Sequence, residues 1–316
     1  VPPRPEAVEQ YLRHHFPGGR YHVVYEAGYF GFWIQRAFAR LGVDCHVVNP
    51  ADVPTSNKER RGKNDRIDAF KIGRSYGNKE LRPIFVPDRA IEEDRALVRT
   101  RMRFVRKQTR TKCQIKALLN EFGYQLPEDI VDTHWSRAYV RWLQTLTFSR
   151  DTGKMALDVL IEELLGLRRM IAMLTRRIRG LVNEERYQGD IELLHKVAGV
   201  GILGAVIFMT EVVSLERFKN LDRLASFVGL VPDEDSSGER EQHTGITQRH
   251  NPMLRYILIE CAWASLRQDP ALLAKFKEYC VRMPDNVAIV HIARKLLSRM
   301  RAVLLHRTTY IKGVAA

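Results

Sequence analysis

Three groups of residues in this sequence have side chains suited to phosphate chemistry. Glu26 closes a short β-branched and aromatic run, Tyr21 to Tyr25, that reads as a strand, and strand ends of α/β sheets are where functional groups are usually presented. Asp65 and Asp68 are spaced i, i+3 at the start of a helical segment, so both carboxylates share one side near its positive end. Three hard oxygen donors of this kind suit Mg²⁺, which polarises a scissile phosphate and steadies the attacking and leaving oxygens. A plainer assignment stands beside it: Asp65 caps the helix and Asp68 pairs with Arg66 or Lys71 on a solvated face, the commoner fate of first-turn carboxylates. The third group lies in the segment Gly229 to Gly238, read as a loop, where Ser236 and Ser237 precede Gly238. With Arg240, Arg249 and Arg255 nearby, a serine here has the makings of a nucleophile whose developing phosphate charge the guanidiniums neutralise. Loop and capping roles for both serines explain the same residues, and the sequence leaves the two readings open.

The elements that must position these groups differ along the chain. A helix, Pro5 to Phe16, is followed by a Gly18-Gly19 turn, the strand ending on Glu26, a helix over Phe30 to Leu41 and a second strand over Asp44 to Val48. Strand, helix, strand in this spacing is a βαβ unit, so residues 1–88 are expected to form an α/β layer. From Arg95 to Lys116 there are nine Lys and Arg and no Asp or Glu, with Val98, Met102 and Val105 at helical spacing, which makes a basic amphipathic helix. Leu157, Ile161, Leu164, Ile171, Leu174, Ile178 and Leu181 then recur as a heptad seam. Residues 89–186 are therefore expected to form an antiparallel or intermolecular coiled coil turning near Trp135 to Leu146. Residues 187–316 read as helical. Within them, Val197-Ala-Gly199-Val-Gly201 resembles a helix-hairpin-helix turn, whose backbone N–H groups grip phosphate; close packing of two helices on glycine is the alternative.

Composition bounds the function. The 316 residues are 45% hydrophobic and 28% charged, a folded chain long enough for two cores. Fifty-one Lys and Arg against 37 Asp and Glu give a net charge of +14, the balance commonest where the partner is a polyanion. The basic helix supplies candidate contacts at Arg99, Arg103, Arg106, Lys107 and Arg110, joined by Gly199, Gly201, Arg240, Arg249 and Arg255. Four cysteines without a CxxC pair argue against a zinc knuckle or disulfide framework. No apolar run reaches the ~20 residues that span a bilayer and no leader precedes the first helix, so a cytoplasmic, nucleoid-associated protein is expected.

The motifs occur in a recognisable order. Tyr25-Glu26-Ala27-Gly28, then Lys63-Asn64-Asp65-Arg66-Ile67-Asp68-Ala69, then Gly229 to Gly238 with Ile246-Thr247 and Leu254-Arg255, resemble the insertion-sequence transposases that carry a RuvC-like DEDD domain, a group that includes the Piv-type DNA invertases. The resemblance covers nearly the whole chain. It implies an RNase H-like domain, a coiled-coil linker and a helical domain with a helix-hairpin-helix-like element. It implies DNA cleavage and rejoining in which Glu26, Asp65 and Asp68 are the second, third and fourth acidic residues on Mg²⁺. Ser237 would be the nucleophile, with Ser236 its near neighbour. It further implies a structured guide RNA, DNA at element ends and target, and a homo-oligomer, dimer or tetramer. In that family the first acidic residue lies on an opening strand, in a sequence like Gly-Ile-Asp. Nothing before Glu26 fits, since Glu6 and Glu9 lie on a helix. The expectation is an N-terminally truncated domain with three carboxylates and an open sheet edge, and the rival expectation is a nucleic-acid-binding remnant that has lost catalysis.

Overall fold

The computed structural model describes residues 2–54, 64–127, 135–237 and 240–313, with only the backbone of 233–237 and 240–244. The chain divides into two compact units, 1–88 and 89–316.

In the first unit, α1 (Pro5–His15) precedes β1 (His22–Glu26), α2 (Trp33–Arg40), β2 (Asp44–Val48) and α3 (Asp65–Gly77). The strands pair in parallel, His22 opposite Asp44 and Glu26 opposite Val48, as a right-twisting βαβ crossover requires. Side-chain alternation then sorts two apolar layers. Tyr21, Val23, Tyr25 and Cys45 meet Val8 of α1 and Ile34 and Phe38 of α2 on one face. Val24 and Val48 meet Ile72 and Tyr76 of α3 on the other. The free edge of β2 is partly covered by the following chain, where the Ile84 N–H donates to the Val47 carbonyl at 2.7 Å. Among the described residues β1 pairs on one side only, with β2.

The second unit is built on two long helices, α4 (Arg89–Glu121) and α6 (Asp151–Gly180), with α5 (Arg137–Thr145) between them. They lie antiparallel within the chain: Ile115 and Leu119 of α4 share a core with Leu157, Ile161 and Leu164 near the start of α6. At the other end, Val98 and Met102 share one with Ile178. That second core continues without a break into α7 (Gln188–His195), α8 (Ile202–Val212), α9 (Leu221–Val228), α10 (Pro252–Ser265), α11 (Pro270–Cys280) and α12 (Asp285–His306). The long pair is therefore half of the helical unit's own core rather than a free-standing connector. Between α9 and α10 the expected loop and all-helical composition give way to a hairpin of β3 (Pro232–Ser237) and β4 (Arg240–Ile246). Its polar sequence has no apolar alternation, so the strand period is invisible and only backbone pairing makes it. Among the described residues no helix is long and apolar enough to cross a membrane.

Candidate functional site

Glu26 stands at the carboxyl end of β1 and is exposed. The Ala27 N–H carries the pairing one residue further by donating to the Val48 carbonyl at 2.8 Å. Helix α3 packs against β1 through a stripe that runs Asp65, Asp68, Ile72, Ser75, and Ile72 and Ser75 are buried. Tyr76, near the carboxyl end of the helix, stacks on His46, the middle residue of β2, and the two carboxylates lie roughly two to three turns of helix away in its first turn. Capping does not account for Asp65, since Asn64 is the cap residue and its side chain accepts from the Arg66 N–H at 2.9 Å. Nor does pairing account for Asp68, for which no ion pair is found among the described residues. As a donor set, three hard carboxylates suit a divalent ion. The three are nonetheless not drawn to mutual ligand distance. Among the described residues the only group of His, Cys, Asp or Glu whose ligand atoms lie within 4.8 Å of one another is His22, Asp44 and His46.

The serines lie at the tip end of the hairpin. Ser236 is opposite Glu241 and Ser237 opposite Arg240, so both belong to a strand and not to a loop. The side chains of Ser236, Ser237 and Arg240, and all of Gly238, lie outside the described residues. The hairpin's base is firmly built. The Thr247 N–H donates to the Val231 carbonyl at 3.1 Å, and half-buried Arg255 donates to the Thr247 carbonyl. Gly229, left-handed at φ 87°, ends α9 there, and a Cβ on it would fall 2.2 Å from the His250 Cβ and 2.4 Å from Arg255 Nη2. Arg255, expected among the phosphate contacts, thus braces the hairpin, and burial lowers its pKa. Arg249 is exposed beside it, its N–H held by the Thr247 hydroxyl at 3.2 Å.

A buried carboxylate that the sequence reading passed over organises the ground beneath. Glu211, 2% exposed, ends the apolar helix α8. It accepts two hydrogen bonds from Arg99, through Nε and Nη2 at 2.8 Å each, and one from Asn251 Nδ2 at 2.8 Å. Arg95 Nε lies 3.8 Å away and donates to the Thr210 carbonyl at 3.0 Å. Asn251 also caps α10, accepting from the Met253 and Leu254 N–H groups. One carboxylate therefore ties α4 to the helix that leaves the hairpin. Arg217 sits close by, its pKa pushed down to about 10 by burial and then by Arg95, against the pull of Glu211. The turn after Glu211 is strained: Val213 has φ 68° and ψ −63°, a γ-turn closed by Ser214 N–H to Val212 carbonyl at 2.9 Å. A lone glutamate inside Ile202 to Val213 was the available signal, because a carboxylate in such a run must find partners.

That pairing removes Arg99 from the expected contact surface, since its guanidinium is committed to Glu211. Arg103, Arg106, Lys107 and Arg110 are exposed on α4, with Lys107 5.4 Å from the centre of the Phe104 ring. Gly199 also has an internal duty. Its φ is 80°, and a Cβ would lie 2.2 Å from the Cys261 carbonyl oxygen and 2.5 Å from the Ser265 nitrogen. Its N–H donates to Gln268 Oε1 at 3.0 Å and so is already engaged. Gly201, exposed and with open space around its Cα, has no such neighbour.

Comparison with known proteins assigns a class to this arrangement. A transposase model, that of the IS110-type DEDD transposases, matches residues 6–123, which hold Glu26, Asp65 and Asp68. The model described as "Transposase IS116/IS110/IS902 family" matches residues 191–277, which hold Glu211 and the serine hairpin. Similar curated proteins include "Putative transposase y4rJ" of Sinorhizobium fredii, 32% identical over 88% of this chain and 76% of its own length. "Putative transposase y4qE" of the same organism is 31% identical over 88% of this chain, which spans 66% of that relative. "Transposase for insertion sequence element IS1111A" of Coxiella burnetii is 29% identical over 92% of this chain and 79% of its own length. The chain belongs to the IS110/IS116 family of insertion-sequence transposases.

Proposed function

We propose that this chain cleaves and rejoins DNA strands as a transposase or site-specific recombinase, with the carboxylates of the first unit and a serine of the hairpin as its reacting groups. The observation that carries the reading is the order of the two family matches along one chain, each centred on one of these groups. In the first unit, taken as RNase H-like, Glu26, Asp65 and Asp68 would hold a divalent ion, Mg²⁺ by donor type. Bound there, the ion would supply charge to a phosphate oxygen. In the second unit the Ser237 oxygen attacks the DNA phosphorus, with Ser236 as the alternative. A serine phosphodiester forms as one phosphorus–oxygen bond of the strand breaks, the serine proton leaves to base, and the departing sugar oxygen takes up a proton. Attack by a sugar hydroxyl on that ester rejoins DNA and frees the serine. Arg249 would offset charge on the phosphate, while Arg255 and Glu211 hold the hairpin's base and act through position.

The partners proposed are DNA at element ends and target, a structured guide RNA, and further copies of this chain. The exposed row on α4 fits a phosphate backbone of either nucleic acid. Self-association draws support from α6, whose outer side exposes Met155, Val159 and Met173 at 69%, 60% and 63%.

The test is covalent trapping: purified chain, Mg²⁺, element-end DNA and RNA transcribed beside the gene, comparing wild type with Ser236→Ala and Ser237→Ala. A protein–DNA adduct lost only in Ser237→Ala is the expected result. Persistence of the adduct in both variants would sink the serine assignment. Binding without any adduct would make this a nucleic-acid-binding remnant instead.

A further inference from the structure

We propose that His22, Asp44 and His46 form a transition-metal site of the Zn²⁺ type at the amino end of the two-stranded sheet. The parallel register sets His22 opposite Asp44 and Val24 opposite His46, so all three side chains leave the same face. Their ligand atoms lie within 4.8 Å of one another. One edge, His22 Nδ1 to Asp44 Oδ2, is 3.5 Å, against roughly 3.3 Å between ligands that each sit about 2.05 Å from a tetrahedral ion. Small rotations of two exposed side chains and one half-exposed one close the remainder. His46 is steadied by stacking on Tyr76, ring centres 5.3 Å apart and planes 29° from parallel. A simple surface ion pair would need one histidine beside Asp44; the second, from the next inward-facing position of β2, completes three sides of a coordination shell.

The donor set discriminates between ions. Two imidazoles with one carboxylate favour Zn²⁺ and its first-row neighbours over Mg²⁺, and leave a fourth position for water. The opposing charge is Arg20, whose Nη2 is 3.5 Å from Asp44 Oδ2. Its side chain is 83% exposed and swings into solvent at little cost. The trio is separate from the carboxylate group, because four steps along β1 separate His22 from Glu26, roughly 13 Å at the rise of a strand. Asp44 and His46 also line a cleft of about 970 Å³ with Arg13, Arg20 and Tyr21. Bound there, the ion would cross-link the starts of β1 and β2.

The experiment is a Zn²⁺ titration of the full chain by calorimetry after chelator treatment, in excess Mg²⁺, with Co²⁺ absorption as a second readout. One saturable site indifferent to Mg²⁺ is expected. His22→Ala and His46→Ala should each weaken it by at least the ~10–100-fold that even outer-shell losses cost, while Glu26→Gln leaves it unchanged. Equal Zn²⁺ uptake by the double histidine variant, or loss of uptake in Glu26→Gln, would overturn the assignment. So would thiolate charge-transfer absorption in wild-type Co²⁺ protein, which would place the ion on cysteine such as exposed Cys113 and needs no variant to fold.

Discussion

Glu211, Arg99 and Asn251 show how one buried charge redirects its neighbours. A carboxylate removed from water must be paired and hydrogen-bonded, and Glu211 recruits a two-pronged arginine and a capping asparagine to meet that need. Read as residues, Arg99 and Arg103 are equivalent cations on one helix; only the position of Glu211 across the core separates a structural arginine from a solvent-facing one. Replacing Glu211 with Gln keeps the shape, leaves three nearby arginines without their anion, and should cost about 1.5–3 kcal/mol, the range for hydrogen bonds to charged groups. Arg99 is 47% exposed, which keeps the figure below that of a fully buried pair. Denaturant unfolding measures it, and a change under about 0.5 kcal/mol, ordinary for a surface site, would show that the pairing is incidental. The candidate carboxylates were legible as residues because Asp65 and Asp68 keep their i, i+3 spacing on one stripe of α3. Their distance from Glu26 was not, since it depends on how a helix lies on a sheet.

Elements divide in the same way. The βαβ order, the basic helix and the long seam were all readable, because each carries its own period of two or 3.6 residues. The serine hairpin carries no such period: Pro232 to Ser237 is almost wholly polar, and its strands exist through pairing with Arg240 to Ile246. The turn between α7 and α8 was readable as a turn, but two uses of its glycines fitted equally well. Contact with α10 explains Gly199, whose missing Cβ admits the Cys261 carbonyl. Gly199→Ala should therefore destabilise by about 3 kcal/mol or more, overpacking added to a left-handed φ. Gly201→Ala, with open space around it, should stay within about 0.5 kcal/mol. Thermal melts of the two variants side by side decide the matter: similar shifts would mean that the turn is not packed as described.

For the molecule as a whole, the net charge of +14 was the first indication of a polyanionic partner. Part of that excess lies in an exposed row on α4, and this makes a prediction about salt rather than affinity alone. Each phosphate contact contributes a slope of about −0.9 in the log of duplex affinity against the log of salt. Arg103, Arg106 and Arg110 changed together to Ala should flatten that slope by up to about 2.7. Fluorescence anisotropy across a KCl series reads it, and an unchanged slope would move the contact surface elsewhere. By itself the sequence determined charge, periodicity, the order of motifs and hence the family, since these are properties of residues near one another in the chain. The tertiary structure alone decided that Arg99 pairs with Glu211 while Arg103 faces solvent, why Gly199 is glycine, that the serines sit on a strand, and that two histidines and an aspartate converge. Each of these is a distance between segments brought together only when the cores close.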